Sequence, residues 1–458
     1  EYGIPITLRQ LMSHRSGLVR ESPVGNYFDP TEPTLAETVA SLNRTSLVYE
    51  PETKTKYSNA AIAVVGAVLE DRLNVSHAEH VQQAILDPLE MADSSFVVTE
   101  TVKQKLATGW MWTYDDRRFE APDFLLGTGP AGNLYSSVLD MSKFLVCMFN
   151  RGTTESGQIV SPETYRQMTT PVEDKDGQPQ GFGIGFHIQD LDGETKIGHG
   201  GAVYGFSTQL EALPRRHLGV AAVASLDGSN GVVRRIADYA LRLMVAAQEG
   251  KPLPTYGTTI SIPPPRAKTL AGKYREVDGR RTTEIDEYGG DVYMRRGAYR
   301  YRLRAAEDEG TIFTDDPVGF GSEVKLQNGD QLRVGDATFQ RMPSEPPADI
   351  PDRWKGLIGE YGWDHNTLYI LEDDGRLYAL IEWFYYYPLR EVDSDTFEFP
   401  DYGLYHGERL EFTRDAQGRA TEVVAAEVKF LRRQVGTRDG ETFKICLLYT
   451  SPSPRDAT

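Results

Sequence analysis

Residues 55–60 read TKYSNA, and Tyr57, Ser58 and Asn59 bring three hydrogen-bonding side chains to the start of a small-residue apolar run, Ala60 to Leu69. Two uses fit. The serine can cap a helix, or the phenol and amide can serve a catalytic site. A free tyrosine ionises near pKa ~10, so it is a poor base at neutral pH unless cations surround it. A proton-transferring Tyr57 therefore calls for a lysine, and neither Lys54 nor Lys56 has an evident reason to be buried beside it. The sequence offers one Ser-x-x-Lys, Ser322 to Lys325, in a strand-like stretch where positions i and i+3 point to opposite faces. No Gly-x-Ser-x-Gly occurs. A second cluster is His199-Gly200-Gly201, followed by Tyr204-Gly205-Phe206. Paired glycines on a strand let a ligand approach the backbone closely. Ser13 and Ser16 flank His14; this stretch reads as a structural turn with His14 satisfied by backbone partners. His77 and His80, three apart on a helix, read as surface residues with no carboxylate motif to complete a metal set.

These residues sit in a chain of 458, long enough for two or three domains. Hydrophobic residues make up 40% and charged residues 25%, ordinary for a globular protein. A net charge of −18 argues against nucleic acid as a partner, because phosphate binding needs a basic face. No apolar run is long enough to span a membrane. Cys147, in an apolar helical stretch, reads as a small buried residue, and there is no disulfide framework. Residues 446–456, CLLYTSPSPRD, resemble a translated transposase-type sequencing adapter, so 446–458 is set aside as an expected artefact.

The periodicities predict helices at 35–43, 59–73, 136–152 and 231–248, and strands at 181–190, 206–214 and 218–227. Helices, then strands, then a closing helix predict an α+β sandwich over 1–248. Residues 249–268 are Pro-rich and read as a linker. Short alternating segments follow, and all-β barrel-like domains are expected at 269–343 and 351–435. The two copies each open on a Gly-x-Tyr and are separated by a Pro-rich break at 343–351. One larger barrel built from both halves is the alternative. The aromatic run EWFYYYP (382–388) reads as a barrel core strand, and the acidic runs at 307–309 and 373–374 as solvated loops.

Five stretches, in order, resemble the serine β-lactamase/DD-peptidase-like superfamily: ITLRQLMSHRSGL (6–18), YSN (57–59), LDPLEMADSSF (86–96), PAGNLYSSVLDMSKF (130–144) and GHGGAVYGF (198–206). The resemblance covers roughly residues 1–247. A His-x-Gly third motif followed by barrels is closest to the D-aminopeptidase branch, with esterases and carboxypeptidases nearby. It implies a β-lactamase/transpeptidase-like sandwich, acyl transfer to a serine, and no metal or cofactor. By position Tyr57 would pass protons between nucleophile, lysine and leaving group. Asn59 would hydrogen-bond the substrate amide. His199, Gly200 and Gly201 would form the strand edging the cleft, whose backbone N–H helps to hold an oxyanion.

In the family the nucleophilic Ser-x-x-Lys precedes all of these motifs, whereas Ser322 follows them. The expectation is an N-terminally truncated fragment that is inactive as given. The intact parent would be a serine hydrolase of small molecules or peptides. The family's commoner third motif has a lysine where this chain has His199. A histidine, mostly neutral at pH 7, anchors a substrate carboxylate less firmly, which favours D-amino-acid amides, D-peptides or small esters over β-lactams. The rival reading is a non-catalytic binding or scaffold protein of the same fold. The resemblance also favours a periplasmic or extracellular location.

Overall fold

The computed structural model describes residues 3, 5–112, 118–174, 176–279, 281–307, 311–327, 329–343, 349–373 and 375–433. The expected adapter segment at 446–458 lies outside them, as do parts of the Pro-rich break at 343–351 and of both acidic runs. The chain divides into two compact units: Glu1–Met111 with Glu120–Pro254 and Ala426–Val428, and Trp112–Phe119 with Thr255–Ala425 and Lys429–Thr458.

The first unit is α+β. Helix α1 (Leu8–Met12) starts at a capping box, with Thr7 and Gln10 answering each other's backbone N–H. Helix α2 (Asn59–Leu73) is rich in small residues, and Ala60, Ala61 and Ala63 are fully buried. Helix α3 (Val138–Phe149) is capped by Ser137, and α4 (Asn230–Gln248) closes the unit. Strands β1 (His187–Leu191), β2 (Glu194–Val203), β3 (Phe206–Leu213) and β4 (Leu218–Ala224) form an antiparallel sheet in sequence order. Leu145 of α3 packs on Ile197 and Ala212. Leu241 of α4 packs on Leu191 and Leu213. Side chains alternate along a strand, so His199 shares the face of Ile197, while Lys196 turns the other way and bridges Glu211 (2.7 Å) and Asp238 of α4 (2.6 Å).

One expected strand is corrected. Residues 181–190 do not form one strand: β1 starts only at His187, because Gly181 and Gly185 adopt φ of +76° and +78°, which breaks an extended chain.

The second unit is mainly β, with two short helices among its described residues. Strands β5 (Gly272–Glu276), β6 (Thr282–Tyr288), β7 (Asp291–Arg296), β8 (Tyr299–Ala306), β9 (Ile312–Asp316), β10 (Gly319–Gln327), β11 (Gln331–Val334) and β12 (Ala337–Arg341) form an eight-stranded antiparallel barrel. Pairing of β12 with β5 and of β7 with β8 closes it, so it does not depend on the second copy. Within the Pro-rich 249–268 stretch, Thr259–Ile260 pairs with β8. Helix α5 (Pro264–Leu270) sends Ala267 and Leu270 into the barrel core beside Tyr274, Ile285, Met294 and Phe339. The second copy follows helix α6 (Asp352–Lys355) and builds a four-stranded and a five-stranded sheet. Trp383, Tyr386 and Tyr387 of the aromatic run are buried there.

Candidate active site

Ser58 is the cap. Its backbone is extended, its hydroxyl accepts from Ala61 N–H at 2.9 Å, and it donates to the Val19 carbonyl at 2.6 Å. Ser58 is completely buried, and these two hydrogen bonds satisfy its hydroxyl there. It holds the flanking Tyr57 and Asn59 at the helix start.

The frame is the segment from His14 to Glu21, most of it buried although rich in polar residues. The His14 carbonyl accepts from Lys56 N–H (2.9 Å), and the Arg20 carbonyl accepts from Asn59 N–H (2.9 Å). His14 Nδ1 accepts from Ser58 N–H at 3.2 Å. Glu21 is fully buried. It accepts from Asn59 Nδ2 at 2.6 Å and from Tyr27 N–H at 3.3 Å, with Arg20 Nε at 3.5 Å. A carboxylate accepts and does not donate, so it fixes which end of the Asn59 amide is nitrogen.

Tyr57 lies among rings. Its centroid is 4.2 Å from His14, 6.2 Å from His199 and 6.4 Å from Phe182. The Arg20 guanidinium lies 5.6 Å over its face. Among the described residues no hydrogen bond reaches its hydroxyl. Burial pushes the phenol pKa up; Arg20 opposes this and Glu21 adds to it. At neutral pH Tyr57 is therefore a protonated phenol.

His199 bonds its Nδ1 to the Gly200 carbonyl at 2.6 Å. A carbonyl only accepts, so Nδ1 carries the hydrogen and Nε2 the lone pair. Burial lowers its pKa. His187, on β1 opposite Gly198, lies 5.3 Å from His199 and 3.9 Å from Phe182. Its pKa is lowered to about 4 by burial, then by His199 and Arg234. His14 falls to about 3, through burial, then His199, His187 and Arg20. Three neutral imidazoles thus surround one neutral phenol, an arrangement able to donate a proton from Tyr57 and accept one at His199.

The structure brings Tyr57 and His199 together and sets Asn59 two residues on, at the first position of α2. Gly200 and Gly201 follow on β2, opposite Gln209 and Thr208. A Cβ at Gly201 would collide with the Thr208 hydroxyl, and one at Gly200 would lie 3.0 Å from Gln209 Oε1. Asn230 Nδ2 donates to the Gly201 carbonyl at 2.8 Å. Ser322 and Lys325 stand on barrel strand β10 in the second unit, and Lys325 pairs with Glu323 at 2.8 Å.

Lys56 is a correction. It is completely buried, although no reason for burial is evident in the sequence. His187, Arg20 and Glu21 were not singled out either. The one sequence signal was an adjacent Arg-Glu pair in a stretch otherwise free of solvent-type runs.

An antiparallel sheet between two helices, with Tyr-x-Asn opening a helix across from His-Gly-Gly on a strand, defines a β-lactamase/transpeptidase-like unit. The Beta-lactamase family profile matches residues 2–244, and the chain belongs to that family. It is 31% identical over 170 residues to Beta-lactamase-like protein 2 of Dictyostelium discoideum, covering 36% of this chain and 30% of that protein. It is 28% identical over 218 residues to a D-aminopeptidase of Gluconobacter oxydans, covering 45% and 39%. It is likewise 28% identical over 171 residues to a teichoic acid D-alanine hydrolase of Staphylococcus aureus, covering 37% and 42%. Matches such as these span between 30% and 52% of the curated relatives' length. Among solved structures, an octameric penicillin-binding protein homologue from Pyrococcus abyssi aligns with a TM-score of 0.48 at 25% identity, covering 74% of this chain and 78% of that one. Among the described residues no helix is long and apolar enough to cross a membrane.

Proposed function

We propose that the protein is a serine hydrolase that forms an acyl-enzyme on D-amino-acid amides, D-peptides or small esters. The observation that carries this reading is the Tyr57 hydroxyl, without a hydrogen-bond partner among the described residues, beside a His199 whose lone pair is on Nε2. In this reading Tyr57 hands protons to the leaving group, Asn59 holds the substrate amide, and the backbone around Gly200 and Gly201 faces the acyl oxygen. The lowered pKa of His199 keeps it neutral, which supports a substrate without a carboxylate to anchor and ranks β-lactams last. The names of the D-aminopeptidase and the teichoic acid D-alanine hydrolase support the D-amino-acid chemistry.

The nucleophile in this reading is a Ser-x-x-Lys outside the 458 residues, because Ser322 and Lys325 belong to the barrel. That same observation favours a second reading, a β-lactamase-fold binding protein without catalysis. One experiment separates them. The protein is expressed from its complete natural reading frame and assayed with D-phenylalanine amide, p-nitrophenyl acetate and a chromogenic cephalosporin. Turnover of the amide or the ester above the cephalosporin is expected. A complete frame without Ser-x-x-Lys, inert on all three, leaves only the binding protein.

A further inference from the structure

We propose that His14 is a positioning residue for Tyr57. It holds the tyrosine at three points. The His14 carbonyl takes the N–H of Lys56, and its ring Nδ1 takes the N–H of Ser58, so the backbone is tied on both sides of Tyr57. The imidazole then lies against the phenol ring, with centroids 4.2 Å apart and planes 33° apart. Phe182 meets His14 edge-on at 4.9 Å and 76°, which blocks rotation of the imidazole away from the tyrosine.

A simple turn does not need this residue. His14 adopts φ of +58°, a left-handed conformation that glycine or asparagine would supply equally well. A turn-former there would supply the carbonyl but neither the ring nor its nitrogen. His14 is 3% exposed, so solvent does not compete for Nδ1. An acceptor Nδ1 requires the neutral Nε2–H tautomer. The charged and titratable groups near it are Arg20, His187, His199 and the Tyr57 phenol, and none offers a carboxylate that would favour an imidazolium. With its backbone and ring both fixed, the phenol reaches the reacting atoms without losing rotational freedom at the moment of transfer.

This inference rests on the reading of Tyr57 as the proton-transfer residue. The two can fail separately: Tyr57→Phe turnover tests the role, and spectroscopy of the present chain tests the positioning. Long-range 1H–15N spectra of the unaltered protein are expected to show His14 as the Nε2–H tautomer, held to well below the ordinary histidine pKa of ~6.5. An Nδ1–H tautomer, or ordinary titration, overturns the proposal without any variant. His14→Asn tolerates the backbone and can accept from Ser58 but has no ring; His14→Phe keeps a ring and loses the acceptor. With 13Cζ-labelled tyrosine, each variant is expected to shift or broaden the Tyr57 resonance and to move its titration down toward ~10. In the complete-frame enzyme each is expected to lower kcat about tenfold with KM held. A Tyr57 resonance and titration unchanged in both folded variants would sink the idea. If neither variant folds, the tautomer of the unaltered chain decides.

Discussion

Tyr57 in the first unit is half-buried and Tyr274 and Tyr361 in the second are fully buried, and burial raises all three phenol pKa values, Tyr361 to about 12. Their hydroxyls differ. Tyr274 donates to the Leu270 carbonyl and Tyr361 to the Leu357 carbonyl, each at 2.6 Å and four residues back. Arg341 lies 4.7 Å over the Tyr274 ring and bonds the Ala271 and Thr269 carbonyls beside α5. Arg432 repeats the device, 5.4 Å over Tyr361 and bonded to the Gly356 and Ile358 carbonyls after α6. The glycine of each Gly-x-Tyr makes room for that arginine; a Cβ at Gly359 would sit 2.7 Å from Arg432 Nη2. Tyr274 and Tyr361 are bolts. Tyr57 is held by its ring and backbone while its hydroxyl has no hydrogen-bond partner among the described residues. A raised pKa marks both kinds, so in the proposed reading the fate of the hydroxyl is what separates a bolt from a proton donor.

The sharpest way to break this comparison is turnover. In the complete-frame enzyme Tyr57→Phe is expected to lower kcat/KM by about 10²–10⁴-fold, the usual worth of a positioned proton donor. Tyr274→Phe and Tyr361→Phe are expected to leave it unchanged. Equal effects from all three would erase the distinction.

Acid should separate the regions next. The folded-state pKa of His14 lies below its unfolded value, at about 3 against 6.5. The stability this contributes is fully present above pH ~6.5 and is lost as pH falls through the folded value, because the unfolded chain binds the proton first; the total is on the order of a few kcal/mol. In the barrel, burial raises Glu284, Asp286 and Asp316. Raised carboxyls have the opposite sign: they add stability as pH falls through their folded pKa values. Urea denaturation followed by unit-specific amide signals between pH 7 and pH 4 is expected to show the first unit weakening relative to the second. Parallel loss in both would contradict it.

Smaller effects sit in single hydroxyls. Tyr361→Phe leaves the Leu357 carbonyl without its buried donor and should cost ~1–3 kcal/mol by chemical denaturation, with Tyr274→Phe similar. Tyr57→Phe should stay within about 0.5 kcal/mol. A Tyr57→Phe loss as large as that of Tyr361→Phe would mean its hydroxyl is a bolt after all.

Much of this was legible in the sequence, for local reasons. Residues 59–73 announce a helix through the Ser58 cap and the small-residue run, and the strand at 206–213 alternates visibly. The repeated Gly-x-Tyr pointed to two copies, and each has the same Tyr–carbonyl bond and the same arginine. Strand β2 was harder as an element, because Lys196 is buried only through carboxylates from another strand and a helix, and Gly198, Gly200 and Gly201 give no alternation. For the same reason Lys56, Glu21 and His187 could not be placed. Lys56 and Glu21 are tied to segments some forty residues away, at His14 and Asn59, and His187 meets His199 only across a strand pair, contacts that no spacing rule reports. His14 shows the limit best: its backbone role as a turn follows from its neighbours, but its ring contact with Tyr57, 43 positions on, is visible only in the fold.

The most direct test is the intact mass of the complete-frame protein, quenched in acid within seconds of mixing with D-phenylalanine amide or p-nitrophenyl acetate. The account predicts a covalent acyl adduct that maps to a serine followed three residues later by lysine, forms far more slowly in Tyr57→Phe, and forms normally in Tyr361→Phe. No adduct from either substrate, or one that forms equally fast without the Tyr57 hydroxyl, would contradict the assignment of Tyr57, Asn59 and His199 to acyl transfer.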